Sequence, residues 1–224
     1  MTEFNHVSLS ELDFDLKSTT TERGREYITP ENNVYPSVTT VLSDYNKKAI
    51  LEWRQRVGEE EANRVSRLAS TRGTKVHAIC ENYLKNKMTP MKMSSMMPDI
   101  KSMFLQLKPK LDENIGDVYS LEQALYSDKL RLAGRVDCIA EWNGELSVID
   151  FKTSSKEKNE DWILNYFMQT TAYSEMFEER TGRPINQLVI AIAVAEGNSQ
   201  VFVKKKDRYQ DLLQEYIDRY WLSH

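Results

Sequence analysis

The chain of 224 residues predicts an α/β fold organised around one central mixed β-sheet. Three observations carry that prediction. Helical spacing of apolar residues prevails up to about residue 115 and then gives way to runs rich in β-branched and aromatic residues. Asn143-Gly144 joins two of those runs, a dipeptide suited to the tightest hairpin turn. A helical stretch then separates these strands from the apolar run Leu188 to Ala195, and strands interleaved with helices build an α/β sheet.

The elements follow in order. Residues 1–35 are polar, with Ser18-Thr19-Thr20-Thr21 and Glu31-Asn32-Asn33, and read as an irregular N-terminal arm with at most a short hairpin. Residues 36–115 read as a helical region. Ser37 is placed to cap a short helix in Pro36-Ser37-Val38-Thr39-Thr40-Val41-Leu42. From Lys47 to Lys87, Ile50, Trp53 and Val57 share one helical face and Ala62, Val65, Leu68 and Ala69 another. Gly73 is expected to break this stretch ahead of a second helix carrying Val76, Ile79, Cys80, Tyr83 and Leu84. Met88, Met91, Met93, Met96 and Met97 crowd a segment containing Pro90 and Pro98. That segment reads as a loop whose methionines fill gaps beneath it, or as a flexible apolar lip over a substrate channel. A further helix covers Pro98 to Ile115.

Residues 116–224 read as the sheet-bearing core. Strands are expected at Val118 to Tyr126, Leu132 to Trp142 and Glu145 to Thr153, followed by a helix from Trp162 to Thr181 closed by Gly182. The buried strand Leu188 to Ala195 pairs with Gln200 to Lys204 across Gly197-Asn198, and Tyr209 to Leu222 forms a closing helix. The three regions are expected to make one compact domain.

Composition narrows the function classes. Apolar residues make up 40% and charged residues 29%, with 8 Gly and 6 Pro, which excludes disorder and collagen-like repeats. The longest apolar run is far short of the roughly 20 residues needed to cross a bilayer, and no basic-then-apolar leader is visible at the start, so a cytoplasmic protein is expected. The formal charge of −4 gives no global positive field, although a local basic groove suffices to hold phosphates. Cys80 and Cys138 lack metal-site spacing and read as buried, inert thiols.

The residues able to do chemistry cluster in two segments. Gly134-Arg135-Val136-Asp137 lies on the second strand of the core and Val148-Ile149-Asp150-Phe151-Lys152-Thr153 on the third. A strand reading Val-Ile should continue with apolar residues, yet Asp150 and Lys152 stand two apart and therefore on one face. Burying them is costly unless they are paired or bind an ion. Two carboxylates from adjacent strands with a lysine alongside suit a hard cation such as Mg²⁺ or Mn²⁺. The competing reading is a solvated cross-strand ion pair.

An Asp, a hairpin and Asp-x-Lys resemble the signature of PD-(D/E)XK nucleases. Arg72-Gly73-Thr74-Lys75-Val76-His77 with Glu81 resembles the helical first motif of the RecB-like branch, and Gln169 with Tyr173 its Q-x-x-x-Y motif. Pro36-Ser37-Val38-Thr39-Thr40 and Trp53-Arg54 are similar to the N-terminal part of mitochondrial genome maintenance exonucleases and their phage and bacterial relatives. The resemblance implies a restriction-endonuclease-like core, a mixed sheet flanked by helices. It implies that His77, Asp137, Asp150 and the backbone carbonyl of Phe151 hold Mg²⁺ or Mn²⁺, with Lys152 as a catalytic group and Gln169 and Tyr173 beside it. Glu81 and Glu122 take accessory roles, each equally readable as a solvated charge. Arg72, Lys75, Arg135, Thr153, Lys156 and Lys158 are candidate DNA contacts. Trp53, Tyr83 and Trp162 are candidate stacking groups, or simply core.

The activity implied is a metal-dependent exonuclease on single-stranded DNA ends, in replication, repair or recombination. A duplex-processing or structure-specific endonuclease of the same superfamily and a catalytically silent DNA-binding module remain as alternatives. No iron–sulfur cluster is expected, because its four cysteines are missing, and no nucleotide, because no Walker A pattern occurs. Single-stranded DNA is the expected partner, with a recombinase, helicase or single-strand-binding protein supplying it. A monomer in a bacterial or phage-infected cell is expected, with no membrane association.

Overall fold

The computed structural model describes residues 2–224. Near the start, polar runs that lack a strand-like alternation nevertheless pair. β1 (Lys17–Thr21), β2 (Gly24–Ile28) and β3 (Val34–Pro36) form a small antiparallel sheet, one strand more than the irregular arm with at most a short hairpin that was expected. The physical reason is plain. All five residues of β1 are exposed, so no hydrophobic period marks it, and the sheet is anchored instead by Tyr27 and Tyr35 against Tyr126 and Ala133. Tyr35 Oη also donates to Asp128 at 2.8 Å.

Ser37 caps α1 (Val38–Val41) as expected, its Oγ accepting from Thr40 N at 3.0 Å. α2 (Lys47–Val57) and α3 (Glu59–Leu84) follow. The break falls at Gly58, with φ of 85°, and not at Gly73. A left-handed φ is what demands glycine between two helices. Gly73 continues α3 on its sheet-facing side, where a Cβ would make only an ordinary 3.7 Å contact with Thr153 Oγ1. α2 buries none of its residues, and the first half of α3 buries only Ala62. This helical hairpin therefore stands away from the core.

The methionine segment forms a short helix, α4 (Pro90–Ser94), capped by Thr89, where a loop was expected. Met88 is buried and Met93 and Met96 pack against the core, while Met91 and Met97 face solvent. α5 (Pro98–Asn114) then buries Ile100, Met103, Phe104, Leu107 and Leu111 along one face.

The central sheet comprises β4 (Ile115–Ser127), β5 (Leu132–Trp142), β6 (Glu145–Ser154), β7 (Gln187–Val194) and β8 (Gln200–Lys205), in that spatial order. β6 and β7 are parallel, the other neighbours antiparallel, so the sheet is mixed. Asn143 and Gly144, with φ of 53° and 77°, make the tight β5–β6 hairpin. A parallel pair needs a crossover, supplied by α6 (Leu164–Thr181), which Gly182 ends in the left-handed region at φ of 69°. α7 (Gln210–Ser223) closes the chain.

Helices cover both faces. α6 and α7 pack Phe167, Met168, Met176, Leu213 and Ile217 on one side, and α3 and α5 pack Val76, Tyr83, Phe104 and Leu107 on the other. β7 is buried at all eight positions. Each such aliphatic side chain contributes roughly 1.5–3 kcal/mol when removed from water. That strand is the immediate neighbour of the segment holding Asp150 and Lys152, which pair in register with Ile190 and Ile192. Among the described residues no helix is long and apolar enough to cross a membrane.

Candidate active site

The β5–β6 ladder sets the site. Its last registered pair on that side is Cys138 with Ile149, and one residue further on stand Asp137 and Asp150. There the strands part, which frees the Phe151 amide from a backbone partner on β5. Asp137 takes it, accepting Phe151 N–H through Oδ2 at 2.8 Å. The same oxygen lies 3.4 Å from His77 Nδ1, presented by α3. Asp150 is 1% exposed, and its Oδ2 forms an ion pair with the Lys152 ammonium two residues along the same face. The solvated ion pair entertained from the sequence is therefore excluded by burial.

Glu122 is more central than its sequence context suggests. Flanked by the pairs Leu121–Cys138 and Gln123–Val136, it faces Asp137 across the β4–β5 ladder. His77, Glu122 and Asp137 offer ligand atoms within 4.8 Å of one another, whereas Asp150 lies outside this trio. Glu122 has φ of 52°, a left-handed conformation that costs on the order of 1–3 kcal/mol in a residue with a side chain. The Arg135 guanidinium donates to the Glu122 carbonyl and also approaches Asp15 at 3.3 Å, which helps hold this backbone.

On the other side, α6 serves Lys152. Gln169 Oε1 lies 3.4 Å from Lys152 Nζ. Tyr173 is buried, with its ring so close to Gly134 that a Cβ there would lie 2.8 Å from Tyr173 Cε1. Tyr166, which sequence reading missed, presents its ring 5.0 Å from Lys152 Nζ. Its signal was available: it precedes Gln169 by three and Tyr173 by seven, the repeat of one helical face.

Electrostatics follow from burial and crowding. Burial pushes the Asp150 carboxyl up to about 6, partly offset by Lys152. Burial also works against the Asp137 carboxylate, but the His77 hydrogen bond and nearby cations outweigh it and hold it below its ordinary value. For His77 burial opposes the charged form, yet Asp137 wins and the imidazole is raised. Lys152 is likewise raised, its carboxylate neighbours outweighing burial. Glu122 is raised by burial, then by Asp137 and Glu81. Four acidic groups thus crowd one lysine and one histidine. Neither Asp150 oxygen receives a well-directed hydrogen bond among the described residues, the Lys152 contact being a charge contact only. Orphaned, buried carboxylate oxygens beside further carboxylates and an imidazole fit a hard divalent cation.

The remaining candidates are dispersed around this centre. Glu81 is half-buried and paired with Lys85. Arg72 donates to Ser155 Oγ at 3.1 Å, Lys75 and Lys156 are exposed, and Thr153 and Lys158 are half-buried. Tyr83 is a core residue, edge-on to Phe4 and Phe104, which removes it as a stacking group. Trp53 is half-buried and Trp162 is 66% exposed. Both cysteines are buried, and burial pushes both thiols up, in keeping with inert groups.

A cleft of about 630 Å³ opens onto His77, Glu122 and Asp137, walled by Gly73, Thr74, Glu81, Arg25 and Arg135. A cleft of similar size, about 650 Å³, runs along the outer edge of β4 beside residues 6–13, but the catalytic candidates do not line it.

Comparison with known proteins identifies the family. Mitochondrial genome maintenance exonuclease 1 of Homo sapiens is 32% identical over 136 residues, which is 57% of this chain and 39% of that protein. The protein of the same name from Xenopus tropicalis is 31% identical over 164 residues, 69% of this chain and 46% of the relative. This chain thus spans less than half the length of either. One component of the ATP-dependent helicase/nuclease of Clostridium botulinum (strain Alaska E43 / Type E3) matches over 68 residues at 34% identity, 30% of this chain and 6% of that protein. The profile of the PD-(D/E)XK nuclease superfamily matches residues 100–221, a span that takes in Asp137, Asp150, Lys152, Gln169 and Tyr173. With more than half of its length matched, and with the signature residues gathered where two strands part, this chain belongs to the PD-(D/E)XK nuclease superfamily.

Proposed function

We propose that the chain is a divalent-metal-dependent deoxyribonuclease that hydrolyses single-stranded DNA from an end. The observation that carries this reading is the buried Asp150–Lys152 pair beside Asp137, with carboxylate oxygens left unsatisfied. Asp137, Asp150, His77 and the Phe151 carbonyl, joined by Glu122, would hold Mg²⁺ or Mn²⁺. When bound, such an ion polarises the scissile phosphate and lowers the pKa of a nearby water. Lys152 keeps its proton, orients the attacking water and offsets charge that develops on the phosphate. Gln169 and Tyr166 hold the Lys152 ammonium in position, and Tyr173 seats α6 against β5. Water adds to phosphorus and gives up a proton to solvent, the P–O3′ bond breaks and the 3′-oxygen takes a proton from solvent, leaving a 5′-phosphate and a 3′-hydroxyl.

End selectivity would come from shape. α2 and the first half of α3 stand away from the core, ahead of the part of α3 that carries His77, and a strand passing beneath them would need a free end. Arg72, Lys75, Arg135, Thr153 and Lys156 would supply phosphate contacts, and Trp162 a stacking surface. The names of the relatives favour an exonuclease over an endonuclease. Strand opening would fall to a partner such as a helicase, recombinase or single-strand-binding protein, since these 224 residues hold no Walker A pattern.

The test uses end-labelled linear and closed circular single strands, with EDTA, Mg²⁺ or Mn²⁺. Linear strands should be degraded only with metal, while circles and blunt duplexes resist. Full activity in EDTA would refute the metal assignment, and rapid nicking of circles would move the activity to an endonuclease.

A further inference from the structure

The Pro36–Thr40 segment and the small N-terminal sheet have no part in the reading above, yet they deliver one cation to the metal-facing cleft. Arg25, on β2, lines the same cleft as His77, Glu122, Asp137 and Arg135. Its backbone is clamped. Ser37 N donates to Arg25 O at 2.8 Å, Arg25 N donates to Thr40 Oγ1 at 3.0 Å, and Thr40 Oγ1 donates to Arg25 O at 3.2 Å. The Thr40 hydroxyl lies 2.8 Å from Ser37 Oγ, so it can donate once and accept twice. The adjoining turn is equally constrained. Gly24 has φ of 113°, and a Cβ there would lie 2.6 Å from Thr40 Cγ2, so only glycine lets the β1–β2 turn come this close to α1.

The side chain is treated in the opposite way. Arg25 is exposed, and among the described residues its guanidinium has no hydrogen-bond or ion-pair partner, although carboxylates line the same cleft. A fixed backbone beneath an unengaged guanidinium at the wall of an acidic cleft suits an anion that enters from outside. The guanidinium fork matches the non-bridging oxygens of a phosphodiester. We infer that Arg25 is a phosphate-binding residue for the DNA strand at the cleft, with the Ser37–Thr40 hydroxyls as the bracket that holds it there. The inference rests on the nuclease reading.

The experiment measures binding of a fluorescein-labelled oligodeoxythymidine by anisotropy across a salt series in Ca²⁺, for the wild type, Arg25→Gln, Arg25→Lys and Arg23→Gln. Arg23 is exposed in the adjoining β1–β2 turn but does not line the cleft. Arg25→Gln should weaken binding and flatten the slope of log K against log salt by about 0.7, the share of one single-strand phosphate contact. Arg25→Lys should restore most of the slope, Arg23→Gln should leave it unchanged, and cleavage in Mg²⁺ should show the Arg25→Gln loss as a raised KM. An unchanged slope in Arg25→Gln, or an equal loss in Arg23→Gln, overturns the inference while cleavage by the wild type leaves the nuclease reading standing. A wild type that neither binds nor cleaves the strand overturns both.

Discussion

Gly134→Ala tests how tightly the catalytic strand and the crossover helix are seated. Gly134 is buried on β5, three residues before Asp137, and its φ is not in the left-handed region, so alanine suits the backbone. The added methyl would lie 2.8 Å from Tyr173 Cε1 and 3.0 Å from its hydroxyl oxygen. Carbon atoms rest at about 3.5–4.0 Å, so the ring must retreat by about 0.7 Å or more. It has little room, being 3% exposed and struck along the rigid ring. Overpacking of this kind costs about 1–3 kcal/mol, and the restricted unfolded chain returns about 0.4–1 kcal/mol, leaving a loss of roughly 0.5–2 kcal/mol. Urea unfolding in EDTA reads this as a lower midpoint at unchanged slope. Tyr173→Leu in the same chain should relieve the clash, giving a coupling energy of about 1 kcal/mol between the two sites. Activity should suffer more than stability. Gln169 stands one turn before Tyr173, and a retreat of the helix draws it from Lys152, so kcat should fall about tenfold or more with little change in KM. Wild-type stability in Gly134→Ala, with no coupling to Tyr173→Leu, would refute the claim that the ring fills this space.

Asp150→Asn and Asp137→Asn should each abolish most cleavage while leaving far-UV circular dichroism unchanged; near wild-type rates in both would place the chemistry elsewhere. Metal-free stability should also separate Asp150→Asn from the wild type by pH. Burial raises this carboxyl from 3.8 to about 6, so the folded protein holds the proton more tightly than the unfolded chain, and wild-type stability from this group is greatest below pH 4 and falls as pH rises to 6. The variant's stability relative to wild type, from urea titrations in EDTA, should therefore climb across that window, and a flat difference would contradict the burial argument. His77→Ala should lose activity that returns in part at high Mn²⁺; full activity with a lowered melting temperature would reduce His77 to packing.

Legibility in the sequence followed from whether a side-chain period reports the local physics. Asp150 and Lys152 were readable because two charges at period two interrupt an apolar strand, and Asn143-Gly144 because its turn requires positive φ at both positions. β1 was not readable, since a strand exposed at every residue carries no alternation. Gly58 and Gly73 look alike as letters, and only the φ of 85° at Gly58 distinguishes a helix break from a glycine inside a helix. Glu122 was readable only as an accessory charge, because nothing local marks a left-handed glutamate, whose conformation is held by Arg135 from the neighbouring strand. Arg25 escaped for a similar reason: its place at the cleft depends on bonds to Ser37 and Thr40, twelve and fifteen residues away.

The amide of Phe151, bonded to a carboxylate where the strands part, gives position 137 an obligation to folding that is independent of catalysis. Asparagine there keeps a carbonyl oxygen for that amide while surrendering the charge. Alanine leaves a buried N–H orphaned at about 1–3 kcal/mol. In a lineage that had abandoned cleavage, selection on the fold would still favour Asn over Ala at this position, whereas Asp150 and Lys152, a buried ion pair, could drift only together. The inactive descendants of such a protein would then be recognised by a conserved amide on β5 facing a drifting pair on β6, a pattern that looks like a half-kept active site and is in truth the residue of strand architecture.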